Sequence, residues 1–318
     1  MGYVTVAIAL FCLTVKGYCG KKTSVYMRDT GDAYLFNLTR LLFCVFIGAV
    51  LIFFEGAYKN LLVEWKMLAI CALSGAANAA FLVGWLLAIR KNAMVSVDVS
   101  LTLGSLLPSA LCFVFFDRDI SMPKMVGFAF ILVATVILAG YSKRTVGSSI
   151  SGFTLLVFAA VGDGLSGFAQ QLYKEFYTGI EGKYSTGIIY PNSVFQFYTY
   201  IFASAALLAV FGVYWIGNVK KEKRTGGAAK KSKYLYMPKN VLLHIFVMAV
   251  CLFAANYLQT AAATVYGIDS QVLYPIVKGG CLITVNLVAM IFFNEKMTWR
   301  SVVGSLTALA GIVIMSIL

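Results

Sequence analysis

The chain has one histidine, His244, among 318 residues, so neither an all-protein metal centre nor a histidine-based catalytic triad is expected. Its seven cysteines, at positions 12, 19, 44, 71, 112, 251 and 281, form no CxxC pair and fall mostly inside apolar runs. They read as small buried hydrophobes, neither a disulfide frame nor a set of metal ligands. Walker A loops, Gly-x-Ser-x-Gly elbows, HExxH pairs and catalytically spaced carboxylates are all missing, and GGAAKK at 226–231 has no strand before it to form a phosphate loop. Nothing recommends an enzyme, and no cofactor is expected. Charge is scarce as well: 12% of residues are charged, against about 25% in an ordinary soluble domain.

What is abundant is apolar, 60% of the chain. Runs of about 17–25 such residues, bounded by charge, Gly or Pro, predict ten membrane-spanning helices. In the first half they cover about 2–20, 33–56, 66–89, 93–116 and 122–142, and in the second about 153–176, 190–216, 240–265, 270–293 and 298–318. The first run has no basic segment before it and lysines after it, at Lys16, Lys21 and Lys22, which favours a retained helix over a cleaved signal. The fold class expected is an all-α, multi-pass integral membrane protein with mostly short connections, hence antiparallel neighbours in a helical bundle. A net charge of +13 would suggest a nucleic-acid partner in a soluble protein, but eight basic residues lie in one segment, Lys220–Lys239. In a membrane protein such a cluster reads as a topology signal or a contact with anionic lipid, so membrane lipids and not nucleic acid are the expected partners. The polar stretch 218–239 reads as a solvated loop.

The chain also repeats itself. At an offset of 177 residues, FFDRDISMPKMVGFAFILVATVIL (115–138) falls on FFNEKMTWRSVVGSLTALAGIVIM (292–315) with seven identities, among them Phe115/Phe292, Gly127/Gly304 and Leu132/Leu309. Residues 1–145 and 146–318 are thus read as two copies of a five-helix unit. An odd number of crossings makes the second copy enter the membrane from the opposite face, so the copies are expected to be inverted repeats. Such a pair supplies two similar packings, one open to each side, as alternating access requires.

These residues carry a family resemblance. TRLLFCVFIGAVL (39–51) resembles the Arg-led second helix of the drug/metabolite transporter superfamily, EamA-like branch. Pro108 and Pro275 in the fourth and ninth helices, and the closing FFNEKMTWRSVVGSLTALAGIVIM, are also similar to that family's pattern, although DRD (117–119) keeps the acid position of the first copy less well. The resemblance implies ten helices in two five-helix repeats, a central cavity lined by helices 1–4 and 6–9, and termini in the cytoplasm.

Charges inside apolar runs mark candidate functional positions, because an ionised group in hydrocarbon is costly. Lys278 stands alone between Asp269 and Glu295, roughly 13–14 Å of helix rise from Asp269 and so near the midplane. Asp163, in VGDGLSGF (161–168), lies about ten residues into the sixth span, which enters from the opposite face. A Lys278–Asp163 pair is therefore geometrically allowed. The further candidates are Gln271 and Tyr274, on one helical stripe with Lys278, Asn256 and Gln259, spaced i, i+3, and Asn78 and Asp98. Lys16 and Arg40 have stems long enough to snorkel and are read as structural. Most of the four tryptophans lie near span ends, as an aromatic belt would require.

The expected function is secondary active transport of a small polar metabolite, anionic or zwitterionic like an amino acid or organic acid, with coupling to H+ or Na+ open. The competing readings are a proton-coupled cation or drug exporter using Asp163 and Asp98, and a membrane scaffold or lipid-binding protein centred on the basic loop. The cell membrane is the expected location, and monomer or homodimer the expected state. Sidedness stays open. Odd-numbered loops hold 17 basic residues against 6 in even ones, which puts both termini outside by the positive-inside rule, against the family's implication.

Overall fold

The computed structural model describes residues 1–91, 97, 100–102, 104–116, 121–145, 150–178, 184–224, 238–268, 270–294 and 299–317. Among these the chain forms ten α-helices and no strand: α1 (Gly2–Ser24), α2 (Thr30–Phe54), α3 (Trp65–Lys91), α4 (Leu106–Phe116), α5 (Met122–Thr145), α6 (Ile150–Tyr177), α7 (Asn192–Arg224), α8 (Lys239–Thr264), α9 (Ser270–Phe293) and α10 (Trp299–Ile317). Their ends follow local chemistry. Asp29 caps α2 by accepting from the Asp32 amide at 3.1 Å. Beyond α2 and α8 the chain turns through Gly56 and Gly267, at φ 66° and 65°, where a side chain would be strained.

Seven helices are long and apolar enough to cross a membrane: α1, α2 and α3 whole, α8 whole, and most of α6, α7 and α9. The other three carry shorter apolar stretches over the described residues, Ser100–Phe116, Met122–Ala134 and Val302–Gly311. Large apolar side chains point outward all round the bundle, among them Phe46, Phe53, Val213, Leu243 and Ile291, while Lys16, Arg40, Asn37, Asn78 and Gln170 are buried. Apolar outside and polar inside is the arrangement that hydrocarbon, not water, makes stable. The protein is an integral, multi-pass membrane protein.

Helices five apart in the chain pack together, α2 on α7, α4 on α9 and α5 on α10. Several of the other contacts map onto one another under the same shift of five: α3 on α6 matches α8 on α1, α3 on α7 matches α8 on α2, and α4 on α6 matches α9 on α1, whereas the packing of α9 on α10 has no match in α4 and α5 among the described residues. The crossing of α3 with α6 is a close one. A Cβ added at Gly162 of α6 would lie 2.7 Å from the Phe81 nitrogen and 2.9 Å from the Ala77 oxygen of α3, so only glycine admits this approach. That crossing brings the middle of α6 against the middle of α3.

Three expectations need correction. α1 runs to Ser24, past Gly17 and Gly20, because Gly20 lies directly beneath the Trp85 ring, where no Cβ fits. α7 continues as helix through Lys220, Lys221, Lys223 and Arg224, so the basic segment is not wholly a loop; Lys, Glu and Arg are good helix formers, and the first glycine comes only at Gly226. Trp85 is no belt residue but is 2% exposed in the core, whereas Trp65 and Trp299 are exposed at the starts of α3 and α10.

Candidate functional site

The ninth and sixth helices meet at a charge. Lys278 Nζ lies 2.7 Å from both Oδ1 and Oδ2 of Asp163, and the two side chains keep only 12% and 11% of their exposure. Glycines on either side of Asp163 let α6 lie close to its neighbours: besides Gly162 on α3, Gly164 faces Leu107 of α4 and Gly167 faces Pro108 of α4 and Tyr274 of α9. The carboxylate is thereby held where the stem of Lys278 reaches it. The ammonium of Lys278 also lies 5.8 Å from the centre of the Phe81 ring.

Around this pair is a narrow cavity of about 20 Å³, room for about one water, whose walls come from α1, α3, α4, α6, α8 and α9. Asn78 lines it and donates to Ser166 Oγ at 2.8 Å, tying α3 to α6. Tyr274 lines it and donates its hydroxyl to Gln170 Oε1, tying α9 to α6. Asn256 and Gln259 line it from α8, sharing a face as their spacing predicts, and Asn256 donates to the Tyr200 hydroxyl at 2.9 Å. The expected residues Lys278, Asp163, Tyr274, Asn256, Gln259 and Asn78 are thus brought to one wall. Asp98 and the side chain of Gln271 lie outside the described residues. A second, adjoining cavity, smaller still at about 10 Å³, shares Leu13, Lys16 and Lys278 with the first and is closed by Gly17, Trp85, Leu101 and Cys281. The two lysines stand between the two spaces. Leu101, the repeat counterpart of Lys278, is in this second wall.

Snorkelling does not describe Lys16. It is 5% exposed and lines both cavities, with its Nζ 4.9 Å from the Phe81 ring centre and 5.0 Å from that of Trp85. From the observed end of α1 at Ser24 it stands about two helical turns inside, roughly 12 Å from the helix end, beyond the reach of its stem. Neither cation–aromatic contact replaces a counter-ion. Each offsets about 0.5–2 kcal/mol, whereas taking an ammonium out of water costs several kcal/mol. Among the described residues Lys16 has no hydrogen bond or ion pair, although it interacts electrostatically with Lys278, Asp163 and Arg40.

Arg40 is fully buried too, so it does not snorkel either. It donates to Asn37 Oδ1, lies 3.7 Å from Met248 Sδ and stacks 5.4 Å from the Trp85 ring centre, while its Nε has no partner among the described residues. It fills neither cavity wall, which agrees with a structural role. Trp85 offers its ring to both Lys16 and Arg40, at 5.0 and 5.4 Å from its centre. The sequence signal for Lys16 was its position inside an apolar run; the misplaced helix end concealed its depth.

No family model matches the chain, and the search of curated proteins finds no match. Among solved structures 28 chains match, so the fold is one that recurs. One protein of known crystal structure superposes with a TM-score of 0.68 over 98% of this chain and 95% of its own, at 10% sequence identity. At that identity the likeness concerns the fold alone, and it extends over essentially the whole bundle.

Proposed function

We propose that the protein is a secondary active transporter that moves a small polar metabolite of anionic or zwitterionic character by alternating access, across the cell membrane. The observation that carries this reading is the Lys278–Asp163 pair, two charges from different helices meeting in the wall of a polar cavity at the centre of an otherwise apolar bundle. Intramembrane ion pairs of this kind mark substrate and ion pathways, because a purely structural bundle gains little from charges that must be desolvated. A proton reaching Asp163, or a substrate anion reaching Lys278, weakens the bond between α6 and α9 and so biases the packing of the bundle.

The reading includes ten spans in two inverted five-helix repeats of the drug/metabolite transporter kind. Its support is the repeat at an offset of 177 residues and the way helix contacts map onto one another under a shift of five. Two halves that exchange equivalent contacts offer two packings of similar energy, which is what a rocking transporter uses.

The test is a thermal-shift screen of the purified protein against small carboxylates and amino acids, followed by counterflow of each stabilising compound in proteoliposomes. A ligand that binds the folded state raises its melting temperature by mass action. Saturable counterflow that is lost in Asp163→Asn supports the reading. Full counterflow in both Asp163→Asn and Lys278→Gln would sink the role of the pair. Deleting residues 225–237 leaves flux unchanged under this reading; loss of all activity with intact folding would move the function to the basic segment.

A further inference from the structure

The cavity walls hold two lysines against one described acid. Asp163 is taken by Lys278, both of its oxygens lying 2.7 Å from that ammonium. Lys16 remains, 95% buried, lining both cavities, with aromatic faces beside it and no hydrogen bond or ion pair of its own among the described residues, although it feels the charge of Asp163. Aromatic faces offset only part of the cost of burying an ammonium. Its neighbours supply no counter-charge: Arg40 is also cationic, and Asn78 and Asn256, which donate to Ser166 and Tyr200, are neutral amides.

We infer that Lys16 is an anion-binding site, and that the group it takes is the single carboxylate of the transported compound, admitted against Phe81 and Trp85 when the two narrow cavities widen as the bundle opens. The charge of the site selects the class. One uncompensated positive charge is matched by one negative charge, as a carboxylate carries, and is overmatched by a phosphate monoester, which carries about −1.5 to −2 near neutral pH. Calling the anion a substrate rests on the transporter reading above; the binding site itself does not. Because Lys16 belongs to both cavities, an anion held there meets either space without leaving its counter-charge. Lys278 lines the same two cavities, so the anion's arrival competes for that ammonium and loosens the α6–α9 bond.

Trp85 supplies the reporter. Its ring centre lies 5.0 Å from Lys16 Nζ, while Trp65, Trp215 and Trp299 are exposed and can be replaced by Phe. The full-length protein with Trp85 as sole tryptophan, in phosphatidylcholine nanodiscs, is titrated with sodium iodide, an anionic quencher of indole emission, and separately with neutral acrylamide. The expected result is saturable iodide quenching, kept in Lys16→Arg and weakened at least tenfold in Lys16→Gln, with acrylamide quenching the same in all three. Sodium acetate competes with iodide at lower concentration than inorganic phosphate does. Non-saturable quenching, or quenching equal in Lys16→Gln, overturns the site. A stronger competition by phosphate overturns the carboxylate assignment. If phosphatidylglycerol in the nanodisc abolishes iodide quenching while acetate has no effect, the occupant is a lipid headgroup and the soluble carboxylate is refuted. A gain of iodide quenching in Asp98→Asn would make Asp98 the counter-ion of Lys16 and refute the assignment. Loss of counterflow with intact iodide binding would refute the transporter reading while leaving the site, so the two failures are separable.

Discussion

Replacing Asp163 by Asn and Lys278 by Gln, singly and together, isolates the energy of the buried pair. At 2.7 Å and an effective dielectric of about 20, the two charges attract by about 6 kcal/mol. Desolvation opposes this by several kcal/mol per ion, so the pair as a whole adds little to stability. Removing one partner is a different matter. Each single substitution strands a buried ion and is expected to cost about 3–5 kcal/mol. The double substitution leaves two neutral amides able to hydrogen-bond across the same gap, and it recovers most of that loss, giving a coupling of at least about 2 kcal/mol. The assay is equilibrium unfolding of the purified protein in mixed micelles, followed by helical circular dichroism. Additive losses, or single losses under about 1 kcal/mol, would show that the two groups do not depend on one another and would refute the reasoning. Transport in the same variants separates stability from function: the double variant is stable but inactive if the charges themselves respond to substrate.

Four further outcomes follow from the packing and the topology. Gly162→Leu forces a side chain into the Phe81 and Ala77 backbone of α3 and lowers stability by about 1–3 kcal/mol or more, measured by thermal unfolding; an unchanged melting temperature would mean that α3 and α6 do not approach so closely. Ser166→Ala removes the acceptor of the Asn78 amide and costs about 1–3 kcal/mol in the same assay, because a buried donor is left unmatched. The paired substitution Arg40→Met with Asn37→Leu is no less stable than the parent, since a buried charge held for structure alone is replaceable by well-packed apolar groups; a loss above about 3 kcal/mol would give Arg40 an anionic partner. Reporters fused to the two termini read on the same side of the membrane if there are ten crossings, and on opposite sides if only the seven long apolar helices cross.

The helical spans were legible in the sequence because lipid leaves the backbone no other partner than itself, so an apolar run of sufficient length has one regular conformation available. The depths of Lys278 and Asp163 were legible for the same reason: rise per residue converts a position in a run into a height in the membrane. Height is not azimuth. Whether two charges at one height face each other depends on which helices are neighbours, and that was decided by contacts such as Gly162 on α3. Lys16 was misjudged through its helix end. Gly17, Gly20, Lys21 and Lys22 resemble a terminus locally, yet the helix continues because Gly20 makes room for the Trp85 ring, a contact between residues far apart in the chain.

The amino-acid sequence by itself determined that this protein is a bundle of membrane helices with expensive charges inside its apolar runs, since both are read from the cost of leaving polar groups in hydrocarbon. Only the tertiary structure decided how those charges divide. It set Lys278 against Asp163 and left Lys16 between two cavities with aromatic rings instead of a carboxylate, because charge pairing depends on side-chain distances of a few ångströms that helix packing, and not position along the chain, determines.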